Sequence, residues 1–74
     1  MPDATTKTIQ IVVNGQVREV PDGRSLAEAL AALGIDPSRV AVELNRAIVN
    51  RGSWKDTRIE AGAALEIVQF VGGG

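Results

Sequence analysis

The apolar positions of this chain change period as it runs, and each change marks an element. From Thr8, Ile9, Ile11 and Val13 alternate with Gln10 and Val12, the two-residue period of a half-buried strand. Asn14-Gly15 follows, a dipeptide suited to the two positive-φ positions of a type I′ hairpin turn. The return strand is Gln16 to Val20, stopped by Pro21-Asp22-Gly23, a cluster of turn residues. An ideal two-residue hairpin sets Val12 across from Val17.

The period then lengthens. Leu26, Ala29, Leu30 and Leu33 fall at i, i+3, i+4 and i+7, one face of a helix of two to three turns. Ser25 and Glu28 form a capping box at its start. Gly34 supplies a left-handed closing residue, with Ile35 folding back toward Leu30, and Pro37 prevents continuation. Val40, Val42 and Leu44 restore the strand period, Asn45-Arg46 turns the chain, and a short strand lies around Ala47 to Val49. Asn50 to Glu60 is polar apart from Trp54 and Ile59 and reads as a loop with one helical turn, anchored by Trp54. Ala61-Gly62-Ala63 makes a last turn, Leu65 to Val71 a final strand, and Gly72-Gly73-Gly74 follow.

The order β-β-α-β-β-β predicts an α+β roll, a mixed sheet of four to five strands with one main helix on one face. A right-handed crossover sets the first and last strands side by side at the centre. That is the β-grasp, or ubiquitin-like, arrangement. The expected division is a flexible arm at 1–7, the domain at 8–71 and a flexible glycine tail at 72–74.

Composition narrows the chemistry. With 74 residues there is room for one small core. The chain has no cysteine and no histidine, which excludes disulfides and zinc fingers and points to the cytoplasm. Eight basic against nine acidic residues, a net charge of −1, leave no footprint for nucleic acid or an anionic membrane. There is no signal-peptide pattern and no apolar run long enough to span a bilayer. Without His, Cys or Tyr, general acid–base work falls to scattered carboxylates and lysines, and no pair stands out. The composition predicts no catalytic residue and no metal site, so the chain reads as a non-enzyme.

The tail is the sharpest feature. At ~7% glycine per position, three in a row at the end arise by chance about 3 times in 10,000. Residues without a Cβ form the thinnest possible polypeptide, and three of them span roughly 10 Å when extended. Gly72 and Gly73 can therefore carry the Gly74 carboxylate into another protein's active site. A free carboxylate is a poor acyl donor, so this use implies activation by a nucleotide-using partner. On the final strand, alternation puts Glu66, Val68 and Phe70 on the face away from the helix. Val12, Val17, Val68 and Phe70 are thus expected as an apolar docking patch beside the tail. Arg46, Arg51, Lys55 and Arg58 read as a solvated loop surface. The glycines lack the Lys-Ser/Thr of a P-loop, so the chain is not expected to bind ATP.

Taken in order, Ile11-Val12-Val13-Asn14-Gly15, Ser25-Leu26, Val40-Ala41-Val42-Glu43-Leu44-Asn45, Ile48-Val49-Asn50-Arg51 with Trp54, and Leu65 to Gly74 resemble the ThiS family, the sulfur carriers of thiamine biosynthesis. The resemblance covers about residues 9–74. It implies that an E1-like, ThiF-type adenylyltransferase uses ATP and Mg²⁺ to adenylate Gly74. Sulfur from a cysteine desulfurase persulfide then gives a thiocarboxylate, which a ThiG-type thiazole synthase consumes. No cofactor is expected on the carrier itself. Where the family often has aspartates beside the last-turn glycine, this chain has Ala61-Gly62-Ala63-Ala64. Three other readings stay open: the small subunit of molybdopterin synthase, a ubiquitin-like modifier conjugated through Gly74, and a β-grasp interaction module with an idle tail.

Overall fold

The structure, a computed structural model, describes residues 7–70. The remainder of the expected arm, Val71 and the three tail glycines lie outside them. The elements are β1 (Thr8–Val13), β2 (Gln16–Pro21), α1 (Leu26–Ala32), a 3₁₀ turn (Pro37–Arg39), β3 (Val40–Leu44), β4 (Ala47–Ile48), a longer 3₁₀ segment (Arg51–Asp56) and β5 (Ala64–Gln69). The sheet order is β2-β1-β5-β3-β4. First and last strands are neighbours at the centre, parallel to one another, and every other pairing is antiparallel. This is the mixed β-grasp sheet that the element order predicts.

Local chemistry sets each boundary. Asn14 (φ 49°) and Gly15 (φ 83°) occupy the left-handed positions that turn β1 into β2. At the start of α1, Ser25 Oγ accepts from the Glu28 N–H (3.1 Å) and Glu28 Oε1 accepts from the Ser25 N–H (2.9 Å), closing the capping box. At its end Gly34 is left-handed (φ 76°). The Gly34 N–H reaches Ala31 O and the Ile35 N–H reaches Leu30 O, each at 3.0 Å, a Schellman closure. The helix is shorter than the apolar face suggests, because Leu33 is already its C-cap.

The final strand differs by a little at both ends. It begins at Ala64, one residue before the predicted Leu65, because the Ala64 N–H is taken by Asn45 Oδ1 (2.9 Å) and Ala64 O by the Asn45 N–H (2.7 Å). Its last described strand residue is Gln69, and Phe70 still donates its N–H to Arg39 O (2.8 Å). The turn at Pro37–Arg39 was not predicted. Asp36 caps it by accepting from the Ser38 N–H (3.0 Å).

The core lies between α1 and the inner sheet face. Ile11, Val13, Val20, Val42 and Leu65 meet Leu26, Ala29 and Leu30 there, with Ile59 and Trp54 closing the margin. Among the described residues no polar or charged side chain is fully buried. Burying a Leu or Ile of this kind stabilises by ~1.5–3 kcal/mol, so the small domain depends on each of them. The Trp54 indole N–H donates to Val49 O (2.9 Å), and Arg51 stacks on the ring, 5.0 Å from its centroid. The Arg51 guanidinium also donates to Pro37 O and to Val40 O (3.4 Å), tying the 3₁₀ segment to the Pro37–Arg39 turn and to the start of β3. Among the described residues no helix is long and apolar enough to cross a membrane.

Candidate functional site

The site predicted from sequence has two parts, and the structure describes one of them. Gly72, Gly73 and Gly74 lie outside the described residues. The strand that leads to them does not. β5 is paired through Leu65 to β1 on one side and through Gln69 to β3 on the other. The described chain thus runs to Phe70 along the central strand, held by β1 at the start of the strand and by β3 along its length.

The sheet face away from α1 carries the four predicted docking residues. Val17, Val68 and Phe70 are 64%, 62% and 54% exposed, and Val12 is half-buried. Val12 is paired with Val17 on β2, as the hairpin geometry requires, and with Ala64 on β5. Val68 is paired with Ala41 on β3, and Phe70 lies two residues further along the same side.

These residues do not make one continuous patch. Val68 is four residues beyond Ala64, roughly 13 Å along the strand. Glu66 occupies the outward position between them, with Glu43 directly opposite it on β3. The face therefore has two apolar ends, Val12–Val17–Ala64 and Ala41–Val68–Phe70, separated by a pair of carboxylates. Ile48 is a further member that the sequence reading did not select. It is 76% exposed and sits opposite Glu43 from β4, so it flanks the carboxylates. Its signal was the alternation of Ala47 to Val49, too short to assign a face by itself.

The polypeptide geometry next to Phe70 is unusual in one respect. The Asn14 side chain bonds to the main chain of Ile67, with Oδ1 accepting from the Ile67 N–H (2.7 Å) and Nδ2 donating to Ile67 O (3.1 Å). The turn residue of the first hairpin thereby touches the strand leading to the C-terminus, across 53 positions of sequence. The loop basic residues do not assemble into a site. Arg51 is used internally, and Arg24, Lys55 and Arg58 border an open polar depression beside the start of α1.

Comparison with known proteins agrees with this architecture. A crystal structure of the thiamine biosynthesis protein ThiS from Geobacter metallireducens superposes with a TM-score of 0.75 at 34% identity, covering 89% of this chain and all of that one. The solution structure of a thiamine biosynthesis protein from the same organism gives 0.69, again at 34% identity, covering 89% of this chain and 88% of that one. Thiazole synthases of Paramagnetospirillum magneticum and Magnetococcus marinus are 38% and 36% identical over 66 residues, 89% of this chain. The chain spans only 20% of the length of those two relatives. The model of the ThiS family matches residues 11–74, nearly the full length and including the glycines. This chain belongs to the ThiS family.

Proposed function

We propose that this chain is a sulfur carrier for thiazole formation in thiamine biosynthesis, with the Gly74 carboxylate as the group that carries the sulfur. A carboxylate oxygen of Gly74 attacks the α-phosphorus of ATP on an E1-like adenylyltransferase, releasing pyrophosphate and leaving an acyl-adenylate. The terminal sulfur of a persulfide, formed by a cysteine desulfurase, attacks the acyl carbon, and AMP departs with the C–O bond. A thiol then cleaves the resulting acyl disulfide, leaving a Gly74 thiocarboxylate and a disulfide between the two thiols. Thiazole synthase takes the sulfur into its substrate in exchange for an oxygen atom, supplied to the acyl carbon by that substrate or by water, and the carboxylate is regenerated. The acid–base and nucleotide chemistry belongs to the partners, with ATP consumed and Mg²⁺ used by the adenylyltransferase.

The observation that carries this reading is the course of β5. A central strand, paired to β1 at its start and to β3 as far as Gln69, runs into the sequence Gly72-Gly73-Gly74 with Val68 and Phe70 exposed at its described end. Membership of the ThiS family over 11–74 supports it. That two proteins named thiazole synthase each contain a stretch similar to nearly this whole chain supports thiazole synthase as the sulfur acceptor. The two apolar ends of the outer face, Val12 with Val17 and Val68 with Phe70, serve as the docking surface. Val68 and Phe70, nearest the glycines, select the adenylating partner.

Intact-mass measurement on protein from thiamine-starved cells tests the carrier role. The expected result is one oxygen replaced by one sulfur, abolished by deleting Gly74. Ladders of conjugates would instead identify a modifier, and an unchanged mass under starvation would leave an idle interaction module. A knockout that requires thiamine while keeping molybdoenzyme activity separates the thiazole route from the molybdopterin one. Phe70→Asp is expected to weaken binding to the adenylyltransferase without unfolding the domain, and unchanged binding would remove the docking assignment.

A further inference from the structure

The two sides of β5 are not held alike. Toward β3 its pairing is continuous to Gln69, and the Phe70 N–H still reaches Arg39 O. Toward β1 the ladder covers only Ala64 and Leu65, because β1 ends at Val13 and the chain turns away at Asn14. Among the described residues, the last main-chain bond on that side is from the Asn14 N–H to Leu65 O (2.9 Å). Beyond it the strand edge faces a groove of about 400 Å³ lined by Asn14, Gly34, Ile35, Ile67 and Gln69 among others.

The next rung is supplied by a side chain. A primary amide carries one acceptor and one donor in a plane, the same pair that a strand residue offers its neighbour. Asn14 presents both to Ile67, at 2.7 and 3.1 Å. Its main chain therefore serves Leu65 while its side chain serves Ile67. The left-handed φ of 49° is what allows this, since the backbone leaves the sheet there and the side chain continues in its place. Few residues meet both demands. Glycine accepts the φ but has no amide, and aspartate keeps the acceptor while losing the donor.

We infer that Asn14 is a positioning residue: its side chain stands in for a strand on the open edge of β5 and fixes the course on which the chain leaves the sheet toward Gly74. Ile67 is three residues before Phe70, so the amide is the last restraint on that edge among the described residues. Asn45 provides an internal comparison. It also has a positive φ (51°) and bonds through main chain and side chain to β5, but at Ala64, the strand's beginning. Loss of the Asn45 amide loosens the entry to the strand, and loss of the Asn14 amide loosens the exit. The consequence for activation rests on the carrier reading above, because only there does the direction of the exit set how the terminal carboxylate meets ATP.

The test uses the full-length ¹⁵N-labelled chain as wild type, Asn14→Gly, Asn14→Asp and Asn45→Gly. Glycine preserves both turns, so the hairpins persist in the glycine variants. In Asn14→Gly the Ile67 amide is expected to exchange about tenfold faster than in wild type. Backbone order parameters at Val68 to Phe70 should fall from the rigid range near 0.85. Asn14→Asp should lie between the two, and Asn45→Gly should leave Ile67 to Phe70 unchanged. With the adenylyltransferase, pyrophosphate exchange on Asn14→Gly should keep its KM within about twofold and lose about tenfold in kcat, as for a misaimed reacting group. Unchanged order at Val68 to Phe70, or an unchanged kcat when that order has fallen, overturns the inference. If wild type is not adenylated at all, the carrier reading fails, and exchange and relaxation alone decide the role of Asn14.

Discussion

Glu43 and Glu66 stand directly opposite one another on β3 and β5, side by side on the outer face of the sheet. Like charges across an antiparallel pair destabilise it, and Val68 and Ile48 beside them offer no counter-charge. Glu66→Thr removes the repulsion and adds a β-branched side chain suited to a strand. The expected gain is about 0.5 kcal/mol, read as a raised urea midpoint. No gain would mean that the two carboxylates already splay apart into water.

The bond from the Trp54 indole to Val49 O (2.9 Å) anchors the longest irregular stretch to the core. Trp54→Phe keeps most of the buried ring and leaves Val49 O unpaired, for an expected loss of ~1–2 kcal/mol. Trp54→Ala should cost ~3–5 kcal/mol. A domain this size has roughly 4–11 kcal/mol in total, so the alanine variant should lose a large share of its stability, read as a strongly lowered urea midpoint by circular dichroism. An unchanged midpoint in the alanine variant would show that the 3₁₀ segment does not rely on the ring.

Arg46 holds φ 72° in the turn between β3 and β4, a conformation that disfavours any residue with a Cβ by ~1–2 kcal/mol. Asn45 before it makes the pair Asn-Arg where Asn-Gly is the favoured type I′ sequence. Arg46→Gly should therefore raise stability, by roughly 0.5–1 kcal/mol after the extra freedom of glycine in the unfolded chain is subtracted. A lowered thermal midpoint would show that the arginine side chain contributes a contact worth more than the strain.

Two exposed carboxylates give the domain an acid dependence. The Ser25 N–H that donates to Glu28 holds its carboxyl below the ordinary 4.5, and the Ser38 hydroxyl and N–H hold Asp36 below the ordinary 3.8. Folding thus favours both ionised forms. Their contribution is complete above pH 4.5 for Glu28 and above pH 3.8 for Asp36, and is lost as pH falls through each lowered value in the folded protein. The double variant Glu28→Gln, Asp36→Asn should lose less stability than the parent between about pH 6 and about pH 3. Equal losses would assign the acid sensitivity to other groups.

The sequence was most informative where structure is local. Alternation placed the strands, Asn14-Gly15 set the first hairpin's register, and Ser25, Glu28 and Gly34 bounded the helix, because each acts over four residues or fewer. The Pro37–Arg39 turn is not legible in the sequence because a proline after a helix reads equally as a stop and as the first residue of a new turn. The outer face was legible as a set of residues but not as a layout. Which of them touch depends on the stagger between β1 and β5, set by the whole crossover, and that stagger leaves Glu66 between Val12 and Val68. The amide bridge from Asn14 to Ile67 left no local trace at all. Asn14 already had a sufficient explanation as a turn residue, and its second role exists only once residue 67 arrives beside it.

The central place of β5 also has a consequence for how the domain is made. β1 and β2 form one hairpin, β3 and β4 another, and the two hairpins do not pair with each other. A chain made only as far as Gly62 therefore holds two ribbons that no strand pairing joins, each marginal on its own. The sheet is completed only by the last strand, which lies between the two hairpins and pairs with both. A complete five-stranded sheet therefore requires a chain carried through at least to Gln69, and the outer face with Val68 on it exists in full only on such a chain.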